Sequence, residues 1–144
     1  MKVIILLLFN FLWTQSQLFT GTYEFKSEEP SENHYIVLTS GEGKLKGKYY
    51  GSEDGKGHGI FFYKADLSNI RLFANGNIEF EIGERVLFEK SLFTVKNTSP
   101  QSAIGNSRDP LRYKGTIAGN KITLICQSES DECWKEELVF LKIK

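Results

Sequence analysis

No stretch of this chain is long and apolar enough to cross a membrane as a helix. A bilayer core of about 30 Å takes roughly 20 apolar residues. The longest run, Val3 to Leu12 extended by Trp13, is shorter and is interrupted by Asn10. Histidine and cysteine are scarce, at 2 each, and 18 basic side chains balance 18 acidic ones. Zero net charge removes the electrostatic case for nucleic acid, which calls for a dominant basic patch. It removes the case for an anionic membrane surface too. Two histidines leave few bases for a nucleophile, and Gly-x-Ser-x-Gly is absent. Zinc held by the two cysteines would require both His34 and His58. Helical spacing of apolar residues is also missing. Only Glu129 to Leu141 imitates it, and its Val139-Phe140-Leu141 ending suits a strand.

What is present at the start reads as an export signal. Lys2 precedes a short apolar segment, and Thr14-Gln15-Ser16 places small side chains for cleavage after Ser16. Residues 1–16 are therefore expected to be a signal peptide, with Gln17 as the mature N-terminus. Residues 17–144 would form one domain, long enough to bury a core. Without Lys2 its charge is slightly negative. No membrane insertion is expected after cleavage, and the location would be periplasmic or secreted. Asn97-Thr98-Ser99 is a glycosylation sequon, which matters only in a eukaryotic host.

The remainder alternates with period two between turn residues. Phe19, Gly21, Tyr23 and Phe25 alternate with polar residues. His34 to Thr39 is a second strand, followed by a turn at Ser40-Gly41-Glu42-Gly43. In Lys44 to Tyr50, Leu45, Gly47 and Tyr49 share one face and three lysines the other. Ile60 to Ala65 and Ile70 to Phe73 read as separate strand segments, the second leading into the Asn75-Gly76-Asn77 turn. Ile78, Phe80 and Ile82 alternate next, and Arg85 to Lys90 follows. Arg112 to Ile117 and Lys121 to Cys126 flank Gly119-Asn120, and Trp134 to Ile143 closes the chain. Period-two alternation marks strands with one buried face, and eleven Phe and six Tyr favour strands as well. The expected fold is all-β, an antiparallel meander of about eight or nine strands closed or nearly closed into a barrel. A β-sandwich is the alternative.

Two segments carry a family resemblance. Phe19-Thr20-Gly21-Thr22-Tyr23 and Gly43-Lys44-Leu45-Lys46-Gly47-Lys48-Tyr49-Tyr50 resemble strands of small exported up-and-down barrels of the lipocalin and avidin kind. Those families open with Gly-x-Trp, whose ring closes one barrel end, and Tyr23 stands where the Trp would be. The resemblance covers two strands and implies a topology. No biotin-binding set matches residue by residue, so it implies no ligand site.

Cys126 and Cys133, even in number and at hairpin spacing, read as a disulfide in an oxidising compartment. Cys126 would end one strand and Cys133 begin the last. Closing the loop 126–133 would stabilise by about 2.5 kcal/mol in the chain-entropy model. Gly51 to Gly59 lacks the spacing of a phosphate loop and the ligands of a calcium loop, and reads as a flexible connection. The pairs Glu28/Glu29 and Glu136/Glu137 read as solvated charge. Lys44, Lys46 and Lys48 are expected to face solvent, paired across strands with Glu79 and Glu81. No cofactor or metal motif is present. The expectation is a non-catalytic exported domain, partnered by a small apolar ligand inside the barrel. The alternative is a protein-interaction module such as an exported inhibitor or immunity factor.

Overall fold

A computed structural model describes residues 18–29, 32–54, 59–88, 105–107 and 109–144. The leader 1–16, the Asn97 sequon and His58 lie outside these residues. Ten strands occur in chain order among the described residues. They are β1 (Gly21–Lys26), β2 (Asn33–Gly41), β3 (Lys44–Asp54), β4 (Ile60–Leu72), β5 (Asn77–Ile82), β6 (Arg85–Phe88), β7 (Gly105–Ser107), β8 (Leu111–Ala118), β9 (Lys121–Cys126) and β10 (Leu138–Lys142). Hydrogen bonding runs β3-β2-β1-β10-β9-β8-β5-β4, and β4 returns to β3. The result is a closed, antiparallel, eight-strand barrel rather than a sandwich. β6 pairs with β4 beyond β5, and β7 with β6, so these short strands prolong the wall past the ring.

Tight turns set the register at one end. Glu42 and Gly43 both take positive φ, 54° and 74°, as a two-residue hairpin turn of the primed kind requires. Gly119 has φ 58°, and the pairs Ala118↔Lys121, Ile117↔Ile122, Gly115↔Leu124 and Tyr113↔Cys126 follow from a Gly119-Asn120 turn. The alternating apolar residues of both strands thereby reach the interior together. Gly119→Val is expected to destabilise by roughly 1–3 kcal/mol, because a β-branched residue is strained at positive φ. Chemical denaturation reads this directly, and an unchanged midpoint would refute the strain.

The core fills the turn-bearing end of the barrel. Tyr23, Ile36, Ile78, Ile117, Ile122, Leu124 and Phe140 are almost fully enclosed there. Burying an aliphatic or aromatic side chain of this size contributes about 1.5–3 kcal/mol. Chain closure joins β1 to β10 through Tyr23↔Lys142 and Glu24↔Leu141. The Thr22 amide adds a 2.9 Å bond to the Lys144 carbonyl.

Four local expectations are corrected. Gly51 to Asp54 are not part of a connection but the last residues of β3, paired with the start of β4. Ile60 to Ala65 and Ile70 to Leu72 belong to one strand, β4, which ends before Phe73. Its first part serves β3 and β6 and its last part β5, and a register shift between Ser68 and Arg71 absorbs the polar break, with Asn69 at φ 52°. The last strand starts at Leu138, so Cys133 and Trp134 lie in the connection before it. The lysine face does point outward, but β3 neighbours β2 and β4, not β5. Lys48 therefore meets Asp66 at 2.9 Å and Lys46 meets Glu42 at 3.6 Å. Glu79 instead bridges Arg71 and Lys114, and Glu81 accepts from Asn69.

Candidate binding site in the barrel mouth

Strands β1, β3, β6 and β9 all finish at the end opposite the tight turns, and the connection 127–137 leaves from it. Inside that end lies a cavity of about 520 Å³. Its walls are His34 of β2, Tyr49 of β3, Tyr63 of β4, Arg85 and Leu87 of β6, Leu111 and Tyr113 of β8, and Leu138 of β10. Asp131, Glu132 and Trp134, from the connection before β10, cover it.

The Cys126–Cys133 disulfide ties this covering segment to the end of β9, with a Cα–Cα separation of 5.7 Å. The base of the segment is held a second way. Buried Ser128 accepts from the Arg112 amide at 2.8 Å and donates to the Pro110 carbonyl at 3.3 Å. The Gln127 amide also donates to the Arg112 carbonyl at 2.7 Å. A turn from the Cys133 amide to the Ser130 carbonyl, 2.9 Å, shapes its tip.

His34 sits deepest in the polar part of the wall, 4% exposed. Tyr49 Oη lies 2.6 Å from its Nδ1 and Tyr63 Oη 3.4 Å away. Its ring stacks on Tyr49 and meets Trp134 edge-on, with centroids 5.0 Å apart in the latter pair. Desolvation pushes the imidazole pKa down to about 4, so the ring is neutral at neutral pH. Burial pushes the Tyr49 phenol well up, so it keeps its proton, and the direction of its bond with Nδ1 follows the imidazole tautomer. The other ring nitrogen, Nε2, is buried and has no hydrogen-bond partner among the described residues. Gly51, paired with both His34 and Tyr63, makes room here. A Cβ at that position would stand 2.4 Å from the Tyr63 ring.

Arg85 supplies the buried charge. Its guanidinium is ion-paired with Glu132 and donates to the Asp109 carbonyl at 3.3 Å. The side chain of Arg85 is 6% exposed and that of Glu132 52%, so the cation belongs to the barrel and the anion to its cover. Desolvation also raises the Tyr113 phenol to about 12, keeping it neutral. The site thus combines aromatic and leucine walls with the Arg85 guanidinium and the buried Nε2 of His34.

Sequence reasoning singled out only the cysteines of this region. Tyr23 is fully buried near the other end, where its Oη donates to the Phe19 carbonyl at 2.9 Å and Lys142 Nζ lies 5.8 Å from its ring centroid. His34 was legible as an inward residue, since it keeps step with Ile36 and Leu38. Arg85 had no such signal. A larger recess of about 1000 Å³ opens beside Lys44, Lys46 and Lys48, where β3 and β4 splay apart. It is a solvent-facing groove on the flank and contains no comparable buried polar cluster. Comparison of the chain with family models, curated proteins and solved structures gives no match.

Proposed function

We propose that this domain is a non-catalytic binding protein of the exported space, periplasmic or secreted. It holds a small, largely apolar molecule in the mouth of its barrel, in the manner of lipocalin-like and avidin-like barrels. The observation that carries this reading is the cavity of about 520 Å³ bounded by Tyr49, Tyr63, Tyr113, Trp134 and leucines. Ligand sites have this size, and aromatic and leucine side chains supply the apolar part of this wall. The apolar leader and the Cys126–Cys133 bond support an oxidising destination.

Trp134 is a built-in reporter, because Trp13 leaves with the leader. Titration of the mature domain with anilinonaphthalene sulfonate is expected to give saturable, one-to-one energy transfer from Trp134. Absence of saturable binding would remove the ligand reading. It would favour the second one, a protein-interaction module. That reading draws on the outward Ile125, Val139, Leu141 and Ile143, which share the β9–β10 surface. Exposed apolar patches of this kind mark contact surfaces.

A further inference from the structure

We propose that the molecule held in the barrel mouth is uncharged and carries a single hydroxyl group, which hydrogen-bonds the Nε2 atom of His34. The inference rests on the binding role proposed above and names the chemistry of its ligand. Nε2 is buried and has no hydrogen-bond partner among the described residues. A polar atom so placed has given up water and received nothing in return, which is costly in a folded protein. The other ring nitrogen is taken, with Tyr49 Oη 2.6 Å from Nδ1. That bond can run either way. When the phenol donates, Nε2 carries the hydrogen, and when Nδ1 donates, Nε2 offers a lone pair. A hydroxyl both donates and accepts, so it satisfies Nε2 in either tautomer, whereas a carbonyl oxygen satisfies only one.

The rest of the wall favours a neutral molecule. Arg85 and Glu132 are ion-paired to each other on it, and a hydroxyl asks neither to change partner. A carboxylate would meet Asp131 and Glu132, and an ammonium would meet Arg85. Desolvation keeps the imidazole itself uncharged at neutral pH. Tyr49, Tyr113 and Leu138 offer surface for an apolar body. Trp134 meets the His34 ring edge-on at 5.0 Å, and it belongs to the connection before β10 rather than to a strand. Nε2 is closed to solvent, so the incoming hydroxyl reaches it as this indole, itself 36% exposed, turns aside.

NMR titration of the mature domain at neutral pH, disulfide intact, with 2-naphthol and with 2-methylnaphthalene tests the idea. The two probes share a shape, and one carries a hydroxyl where the other carries a methyl. 2-Naphthol is expected to bind about 10-fold tighter, the worth of roughly one hydrogen bond. The nitrogen resonance of His34 Nε2 is expected to move with 2-naphthol and to hold nearly still with 2-methylnaphthalene. His34→Phe combined with Tyr49→Phe removes both partners of their bond together, keeps both rings, and is expected to lose the preference for the hydroxyl. The inference is overturned if 2-naphthol binds the parent no tighter than 2-methylnaphthalene, or if bound 2-naphthol leaves the Nε2 resonance unmoved. It is also overturned if the double variant keeps the preference. The resonance is read in the unaltered chain, so it decides the matter even where the double variant does not fold. If neither probe binds while anilinonaphthalene sulfonate saturates, the cavity is a binding site and the hydroxyl reading alone fails. If none of the three binds, the binding role itself falls, and this inference with it.

Discussion

Alanine at Gly115 is expected to lower the stability of the barrel by roughly 3 kcal/mol or more, the upper end of the cost of forcing a methyl group into packed space. Gly115 is in the middle of β8, between Ile78 of β5 and Leu124 of β9. A Cβ there would stand 1.8 Å from the Thr123 carbonyl oxygen and 2.8 Å from its carbon. Both are backbone atoms of the neighbouring strand, so no side-chain rotation relieves the clash. The strands must part, and the ladder bonds between them weaken together. Gly119, at the end of the same hairpin, has open space around its Cβ direction and is constrained by φ alone. The two glycines separate the two causes. Urea denaturation should show Gly115→Ala unfolding at a clearly lower midpoint with a similar slope. An unchanged midpoint would show that β8 and β9 are not packed at this spacing.

Acidification is expected to destabilise the parent by about 3 kcal/mol more than a His34→Phe variant, a figure that follows from the size of the histidine shift. Burial depresses the imidazole pKa from 6.5 to about 4. Between these values the unfolded chain takes up a proton that the native chain refuses. Stability from this residue is therefore fully present above about pH 6.5, is lost as pH falls towards about 4, and changes no further below that. The groups around the ring reinforce the refusal. Tyr49, Tyr63, Phe25 and Trp134 offer aromatic faces and neutral phenols, Arg85 shares the cavity as a cation, and Glu132 is committed to Arg85. Phenylalanine keeps a ring in place without a titrating group. Unfolding free energies of both proteins across this range decide the matter, since carboxylates elsewhere contribute equally to each. Parallel curves would mean that His34 is solvated.

The wall of the barrel was more legible in the sequence than its mouth, for a physical reason. Alternation reports which face of a strand a residue occupies. It placed Tyr49 inward, the three lysines outward, and every pair of the 113–126 hairpin in register, because there the turn chemistry and the apolar pattern agree. Two cysteines in a short connection similarly constrain one another. Alternation carries no information about which inward residues meet across the barrel, since that depends on the stagger of all eight strands. His34, Tyr63 and Tyr113 come from strands far apart in the chain, and nothing local links them. Arg85 is harder still, because a charged residue at the start of a four-residue strand reads as surface until the cover bearing Glu132 is in place.

Around the ring, hydrogen bonding joins strands that follow one another along the chain, except that β8 passes over β6 and β7 to pair with β5, until the seam between β1 and β10 joins Tyr23 to Lys142. Consecutive hairpins cost little loop entropy to form, whereas this last seam gathers nearly the whole chain. Assembly is consequently uneven in time: local hairpins form readily and ring closure is the slow, non-local step. Until it occurs, β1 and β10 are bare edges able to add a strand from another molecule. Val139 and Leu141 on the outer side of β10 make that encounter adhesive. The yield of closed barrel is therefore set by the concentration at which the chain folds as well as by its final stability.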